Sequence, residues 1–340
     1  MKNAELGLLG TAPAVSALLK RHGLAPVLID IGASGPHRDI WQLVAAESVL
    51  VRFDPDLRDI VELDGTGYRR AVTVNEAVTA TAGAPEVPFF LTRSPYCSST
   101  LEPDIESLSD YIYTDLFRVE RQVRVKAATL DSVLQRLSID RLDWFKTDSQ
   151  GTDLRLFNSL HQALRDRVLC VEVEPGILDA YQGEDHFVDA HRELKGQGFW
   201  LTEAKICGTT RIRQSTLAHL RSKGAEVDAY EMGLKCAVTP GWVEATYLRD
   251  LRHLEKNQAP SGDYVILWAF ALMLRQWGFA LDVALDYERR FGADQTSAAM
   301  AAPVTALLTR RDHSIYKGTR RALKAVLPAP VVNWIKSFGA

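Results

Sequence analysis

The chain has 340 residues, 46% of them hydrophobic and 24% charged, proportions of a globular protein with room for one large domain plus an appendage, or for two domains. A formal net charge of -3 gives no electrostatic case for nucleic acid as a partner. The cysteines, Cys97, Cys170, Cys207 and Cys236, are widely spaced with no Cys-x-x-Cys pair, which argues against a zinc cluster or a disulfide framework and fits a reducing compartment.

The first residues lack a basic start followed by an apolar core and a cleavage site, so no secretory signal is expected and a cytoplasmic location is. Residues 13–22 read as a lead-in helix, ended by Gly23 and Pro26. Val27 to Ile31 forms an apolar strand interrupted only by Asp30, and Gly32-Ala33-Ser34-Gly35 breaks it. Pro36 suits the first turn of a helix, where a missing N–H costs nothing. Val49 to Phe53 is a second strand ending on Asp54, followed by a short helix with Leu57, Ile60 and Val61 on one face. Arg70 to Val74 is a third strand, ending at Asn75. A loop over roughly residues 92–104 holds Ser98-Ser99-Thr100.

Alternation at Val119, Arg121, Val123 and Val125 predicts a half-buried strand. Thr129 caps a helix bearing Leu130, Val133, Leu134 and Leu137. Leu142 to Asp148 is a strand that turns at Gly151 into a helix with Leu154, Phe157, Leu160 and Leu164. Val168 to Val173 is another strand, with Glu172 and Glu174 at its end. Phe187 to Leu194 is helical, Gly198 releases it into Phe199-Trp200-Leu201, and Trp242 to Leu248 is the last strand. This rhythm predicts an α/β fold with a doubly wound, mostly parallel sheet over residues 1–250. Residues 251–340 read as a helical C-terminal extension. Its longest apolar run, Tyr264 to Leu274, is too short to span a bilayer and reads as a buried helix. The tail beyond Thr309 holds seven lysines and arginines against Asp312 alone, which admits peripheral contact with an anionic membrane, or else simple solvation.

The turn after the first strand speaks to the cofactor. Asp54 stands 22 residues after Gly32, close to the roughly 20 residues at which a nucleotide-binding βαβ unit sets an acid against a ribose. A dinucleotide site usually carries Gly-x-Gly-x-x-Gly, so that backbone can approach a pyrophosphate. Here only Gly32 and Gly35 are present, and Asp30 precedes them. Phosphates would be repelled by that acid, whereas the sulfonium and amino group of S-adenosylmethionine tolerate it. S-adenosylmethionine is therefore favoured over NAD, with Asp30, Gly32, Ala33, Gly35, Asp54 and Asn75 as candidate cofactor contacts. An NAD-dependent oxidoreductase and a non-catalytic nucleotide-binding domain remain the alternatives, and Gly32 and Gly35 are also compatible with a plain strand-to-helix turn.

Residues 27–54 and three later stretches together resemble the FkbM-type methyltransferase family. The stretches are Asn75-Glu76-Ala77 with Ser98-Ser99-Thr100; Thr129 to Val133 leading to Leu142 to Gly151; and Val171 to Glu174 with Tyr181-Gln182-Gly183 and Gly198-Phe199. Lys146-Thr147-Asp148-Ser149-Gln150-Gly151 is the most specific, being similar to the family's Lys-x-Asp-x-Gln-Gly signature. The resemblance covers roughly residues 20–250. It implies a class I, Rossmann-like fold and methyl transfer from S-adenosylmethionine, typically to a hydroxyl of a sugar or a polyketide-type natural product. Asp54-Pro55 stands where the family often has Glu-Pro, and Asp153 stands in place of a common Glu; both keep the carboxylate.

Methyl transfer to a hydroxyl needs the oxygen aligned and relieved of its proton. Asp148 is the candidate base. Lys146, on the same strand face, is the candidate to orient the oxygen or ease its developing charge, though the two can equally form a structural ion pair. Ser98, Ser99, Gln150, Glu172 and Glu174 are candidate contacts to a small-molecule or glycan acceptor, and no metal is called for. His186 is a further candidate in a rim loop.

Overall fold

In the computed structural model, residues 2–33, 39–56, 67–227 and 229–309 are described. Ser34, Gly35 and Pro36 of the first turn, the helix expected at Leu57 to Val61 and the basic tail lie outside the described residues. The strands are β1 (Val27–Ile31), β2 (Val49–Phe53), β3 (Arg70–Val74), β4 (Ala77–Val78), β5 (Glu86–Thr92), β6 (Val119–Ala128), β7 (Trp144–Thr147), β8 (Cys170–Val173), β9 (Phe199–Thr209) and β10 (Thr239–Arg249). The helices are α1 (Lys2–Arg21), α2 (Ile105–Leu108), α3 (Leu130–Arg136), α4 (Asp153–Ser159), α5 (Gln162–Arg165), α6 (Phe187–Gly196), α7 (Gln214–Ser222), α8 (Ala229–Lys235), α9 (Leu251–Lys256), α10 (Ser261–Met273), α11 (Trp277–Phe291) and α12 (Gln295–Thr309).

Seven strands form one sheet in the order β3-β2-β1-β7-β8-β10-β9. Pairing is parallel from β3 through β8, and β10 runs antiparallel to both β8 and β9. The fold is thus mixed α/β, with a large sheet that is parallel at one side and antiparallel at the other, followed by C-terminal helices. A small second sheet, β4-β6-β5, lies outside the expected elements except for β6. The sequence of β5 carries Pro88 and lacks strict alternation. On an edge strand the missing N–H need not break a ladder. The lead-in helix begins at Lys2 and β9 runs on to Thr209, the helix expected from Leu154 to Leu164 breaks at Leu160 into α4 and α5, and α2, α7 and α8 lie outside the expected elements. Thr129 caps α3 as expected, its side chain accepting from the Ser132 N–H at 3.3 Å.

Side-chain alternation sends neighbouring strand residues to opposite faces. Ile29, Ile31, Val51, Phe53, Phe145 and Val171 pack with α3, α4 and α6 residues such as Val133, Phe157 and Leu194. Leu28, Leu50, Trp144, Cys170 and Leu248 pack on the other face with α1 and α10–α12. Residues 263–273 of α10 are all buried, as expected for a helix that is apolar all round. Trp144 meets Phe270 edge-on with ring centroids 4.8 Å apart. The C-terminal helices α10–α12 therefore share one core with this face of the sheet. No helix among the described residues is long and apolar enough to cross a membrane.

Buried charge ties this helix to the strands. The Asp143 carboxylate, fully buried, accepts from the Val27 N–H at 2.8 Å and from Arg141 Nε at 2.6 Å. The same guanidinium donates to Asp263 in α10 at 2.7 Å. At the far end of β10, the buried Arg249 donates to the carbonyls of Val168, Gln197 and Arg165 at 2.8, 2.6 and 2.6 Å. Removing one partner of a buried pair leaves the other uncompensated. Asp143→Ala is expected to cost roughly 3–5 kcal/mol of stability. Urea titration should show a lower midpoint at an unchanged slope; an unchanged midpoint would mean that Arg141 finds water or another partner.

Candidate active site

The site forms where β1, β2, β7 and β8 end. Gly32 follows β1 with φ of +74°, and a Cβ there would stand 1.9 Å from the backbone oxygen of Asp148. Only glycine lets the chain after β7 come so close. Three hydrogen bonds fix the approach: Asp148 N–H to the Ile31 carbonyl at 2.9 Å, and the N–H groups of Gly32 and Ala33 to the Phe53 carbonyl at 2.9 and 3.2 Å. The glycine is thus explained by backbone packing, and it also lines the cleft that opens above it.

Asp54 closes β2 and is 4% exposed. Its carboxylate accepts from the Asp56 N–H at 2.8 Å, and its carbonyl accepts from the Asn75 side-chain amide at 2.8 Å. Asn75 steadies Asp54 and is not itself part of the cleft wall. The cleft has an empty volume of about 650 Å³ and is walled by Gly32, Asp54, Asp56, Glu76, Tyr96, Ser98, Asp148 and Gln150, among others. Its walls include carboxylates and, among the described residues, no lysine or arginine.

Asp30 and Lys146 lie beneath this cleft and do not line it. They are register partners on β1 and β7, and Lys146 Nζ donates to Asp30 Oδ1 at 2.6 Å. The register continues sideways, from Arg52 beside Asp30 to Glu172 beside Lys146, so that charges alternate along one row of the sheet. Burial works against the Lys146 charge, yet Asp30, Asp148 and Glu172 hold the ammonium above the usual lysine range. Glu172 is buried in that row and accepts from the Trp144 indole at 2.9 Å. The three residues expected at the cofactor or acceptor are therefore set in the sheet, and the ion pair open to Lys146 forms with Asp30.

Asp148 and Gln150 do reach the surface of the site. Gln150 adopts φ of +58°, uncommon for a residue with a side chain. Gly151 follows at +106°, where a Cβ would meet the Glu184 side chain at 2.9 Å. The turn is held by Ser99, whose hydroxyl donates to the Gln150 carbonyl at 2.7 Å, while Ser98 accepts from the Thr92 N–H at 3.1 Å. Asp153 at the start of α4 accepts from Thr147 Oγ1 at 3.0 Å and from the N–H groups of Ser149 and Glu174 at 2.9 and 2.8 Å, joining the ends of β7 and β8. The Gln150 amide donates to Asp148. Burial pushes the Asp148 carboxyl up to about 6, with Asp153 and Asp30 adding to the rise and Lys146 and Gln150 opposing it.

A second chamber, with about 1180 Å³ of empty volume, adjoins the cleft, and Tyr96, Asp148 and Gln150 belong to the walls of both. Tyr113, Phe117, Tyr181 and Trp242 give it an aromatic lining; Glu174, Glu184 and Glu244 supply carboxyl groups. Burial pushes Glu174 up to about 9, with Asp148 reinforcing and Lys146 opposing, and pushes Glu184 up to about 7. His186 pairs with Asp179 at 3.2 Å. Among the described residues no group of three or more His, Cys, Asp or Glu side chains is arranged to hold a metal ion. Tyr181, Trp242 and the bracing Asp153 are among the residues that sequence reasoning did not assign, as are Tyr96, Tyr113, Glu184 and Glu244; for Tyr181 and Asp153 the available signals were Tyr181-Gln182-Gly183 and the acid after Gly151.

Because the Gly32 contact is between backbones, no side-chain adjustment can relieve a methyl group there. Gly32→Ala is expected to lose at least about 1–2 kcal/mol from the left-handed conformation alone, and to loosen the strand ends. Amide hydrogen exchange should quicken at Gly32, Ala33 and Asp148; native protection in the variant would refute the contact. Comparison with known proteins finds no matching family, no similar curated protein and no similar solved structure.

Proposed function

We propose that the chain is an S-adenosylmethionine-dependent O-methyltransferase on a doubly wound, class I methyltransferase fold, acting on a hydroxyl of a saccharide, glycolipid or natural product. The observation that carries the reading is Asp148 in the common wall of two chambers. One, the cleft above Gly32, is walled by Asp54, Asp56 and Glu76 at the strand ends. The other has the aromatic and carboxyl lining suited to an acceptor. The sheet order reverses between β1 and β7, and ligands in open sheets bind outside the strand ends at such a switch point. Among the described residues the cleft wall has carboxylates and no lysine or arginine, which favours a sulfonium over a pyrophosphate. The choice of acceptor comes from the resemblance of the Lys146 to Gly151 stretch alone.

In this reading Asp54 holds the ribose hydroxyls, and S-adenosylmethionine supplies an electrophilic methyl group when bound. The acceptor hydroxyl lies in the second chamber against Asp148, which takes its proton as the oxygen gains the methyl. Lys146 acts from below: its positive charge keeps Asp148 more acidic than burial alone would. Glu174, whose carboxyl burial favours as the neutral form, is suited to donate a hydrogen bond to the acceptor at neutral pH.

Calorimetry should show binding of S-adenosylmethionine and none of NAD; the opposite result would end the methyltransferase reading. Hydrogen bonds to a charged group contribute about 1.5–3 kcal/mol, so Asp54→Ala should weaken S-adenosylmethionine binding at least about tenfold. Asp54→Asn, which keeps the oxygen facing the Asp56 N–H, should fall between it and the native protein.

An acceptor can be found by incubating the protein with labelled S-adenosylmethionine and fractionated cell extract. With it, Asp148→Asn should lower turnover roughly 10²–10⁴-fold while cofactor affinity stays close to native. Since the base works ionised, turnover in the native protein should rise with pH through about 6, as Asp148 loses its proton. A flat profile between pH 5 and 7 would assign the proton to another group.

A further inference from the structure

Tyr181 sits in the loop between β8 and α6, 3% exposed, with its ring edge-on to Phe117 at 5.6 Å. Its hydroxyl donates to Gln150 Oε1 at 2.7 Å and lies 2.9 Å from the Cys97 carbonyl. The other end of the same amide donates to Asp148. We propose that Tyr181 is a positioning residue for the base, holding the Gln150 amide oxygen so that the amide N–H faces Asp148; this rests on Asp148 being the base.

An amide offers an oxygen on one side and an NH₂ on the other, and turning it over exchanges a donor for an acceptor. Turned the wrong way, Gln150 would set its oxygen against the carboxylate. Turning the amide over would also give up the shorter of the two bonds open to the phenol proton, to Gln150 Oε1 at 2.7 Å, and leave it the Cys97 carbonyl at 2.9 Å. Burial holds the phenol protonated far above neutral pH, so the donor persists wherever Asp148 titrates. Gln150 keeps a long side chain at φ of +58°, where glycine would sit without strain. The bridge it makes between Tyr181 and Asp148 gives that side chain a purpose.

The charges around Asp148 come from several elements: Lys146 on β7, Asp30 on β1, Asp153 on α4 and Glu174 after β8, with the Cys97 thiol and Tyr181 also facing it. None of these is altered when the phenol oxygen is removed, apart from Tyr181 itself. Tyr181→Phe retains the ring against Phe117. The bond that Gln150 makes favours ionised Asp148, so weakening it should raise the midpoint for protonation.

The test follows the Asp148 carboxyl by carbon-13 NMR of aspartate-labelled protein, assigned with Asp148→Asn, with no cofactor or acceptor present. The midpoint should move up by about half to one pH unit in Tyr181→Phe, and by at least as much in Gln150→Ala, because a donor to a charged group is lost. In the Gln150→Ala background, Tyr181→Phe should add nothing. Cofactor affinity should hold in Tyr181→Phe, since Tyr181 is not in the cleft wall. An unchanged midpoint in Tyr181→Phe, or an equal shift with Gln150 absent, would overturn the inference. Failure of the methyltransferase reading shows separately, as absent S-adenosylmethionine binding or undiminished turnover in Asp148→Asn.

Discussion

The carbonyl oxygen of Asp148 occupies the place where a side chain at residue 32 would stand. Everything at the site depends on that backbone contact. It brings the two middle strands of the parallel region together just beyond their last ladder bonds, so one turn bounds the cleft and the other carries the acid that looks into it. The position of the β1 turn and the position of the Asp148 carboxyl after β7 are therefore not independent. Asp153 extends the same logic sideways, because its two oxygens gather β7, the following turn and β8 onto one buried group.

The second organising feature is electrostatic. Arg52, Asp30, Lys146 and Glu172 form a row of alternating sign across β2, β1, β7 and β8. Buried charges persist when each has an opposite neighbour, and the row gives each member one. Its consequence reaches upward: Lys146 is the main favourable influence on Asp148. Above the row the balance reverses. Carboxyl groups accumulate around both chambers; burial pushes Glu174 toward its neutral form and brings Asp148 nearer to neutrality, and the neighbouring carboxyls reinforce both shifts.

Much of the sheet was legible because its central strands are short apolar runs with abrupt ends. Val27 to Ile31 and Val49 to Phe53 emerge with the boundaries expected, and so does the edge strand Arg70 to Val74. Thr129 was legible as a cap because capping is local. What crosses from strand to strand was not. Alternation gives the parity of Lys146 and Asp148 on their own strand but not the register that sets Lys146 beside Asp30. The same gap put Glu172 at the acceptor, when its parity sends it to the row within the sheet. Tyr181 lies in a loop without periodicity, and its importance comes from contacts to residues 84 and 31 positions earlier. The small second sheet escaped because an edge strand needs neither strict alternation nor every N–H.

One consequence of the shared core concerns how the protein comes into being. Val15, Leu18 and Leu19 of α1 pack in the same cluster as Met300 and Val304 of α12, together with α10 and one face of the sheet. The cleft is walled by residues between Ile31 and Thr152, yet the face that supports its strands is finished by residues as late as Val304. During synthesis the early strands must wait, their apolar side uncovered, until residue 304 has left the ribosome. Contacts so distant in sequence are slow to form, and uncovered strands are open to wrong partners meanwhile.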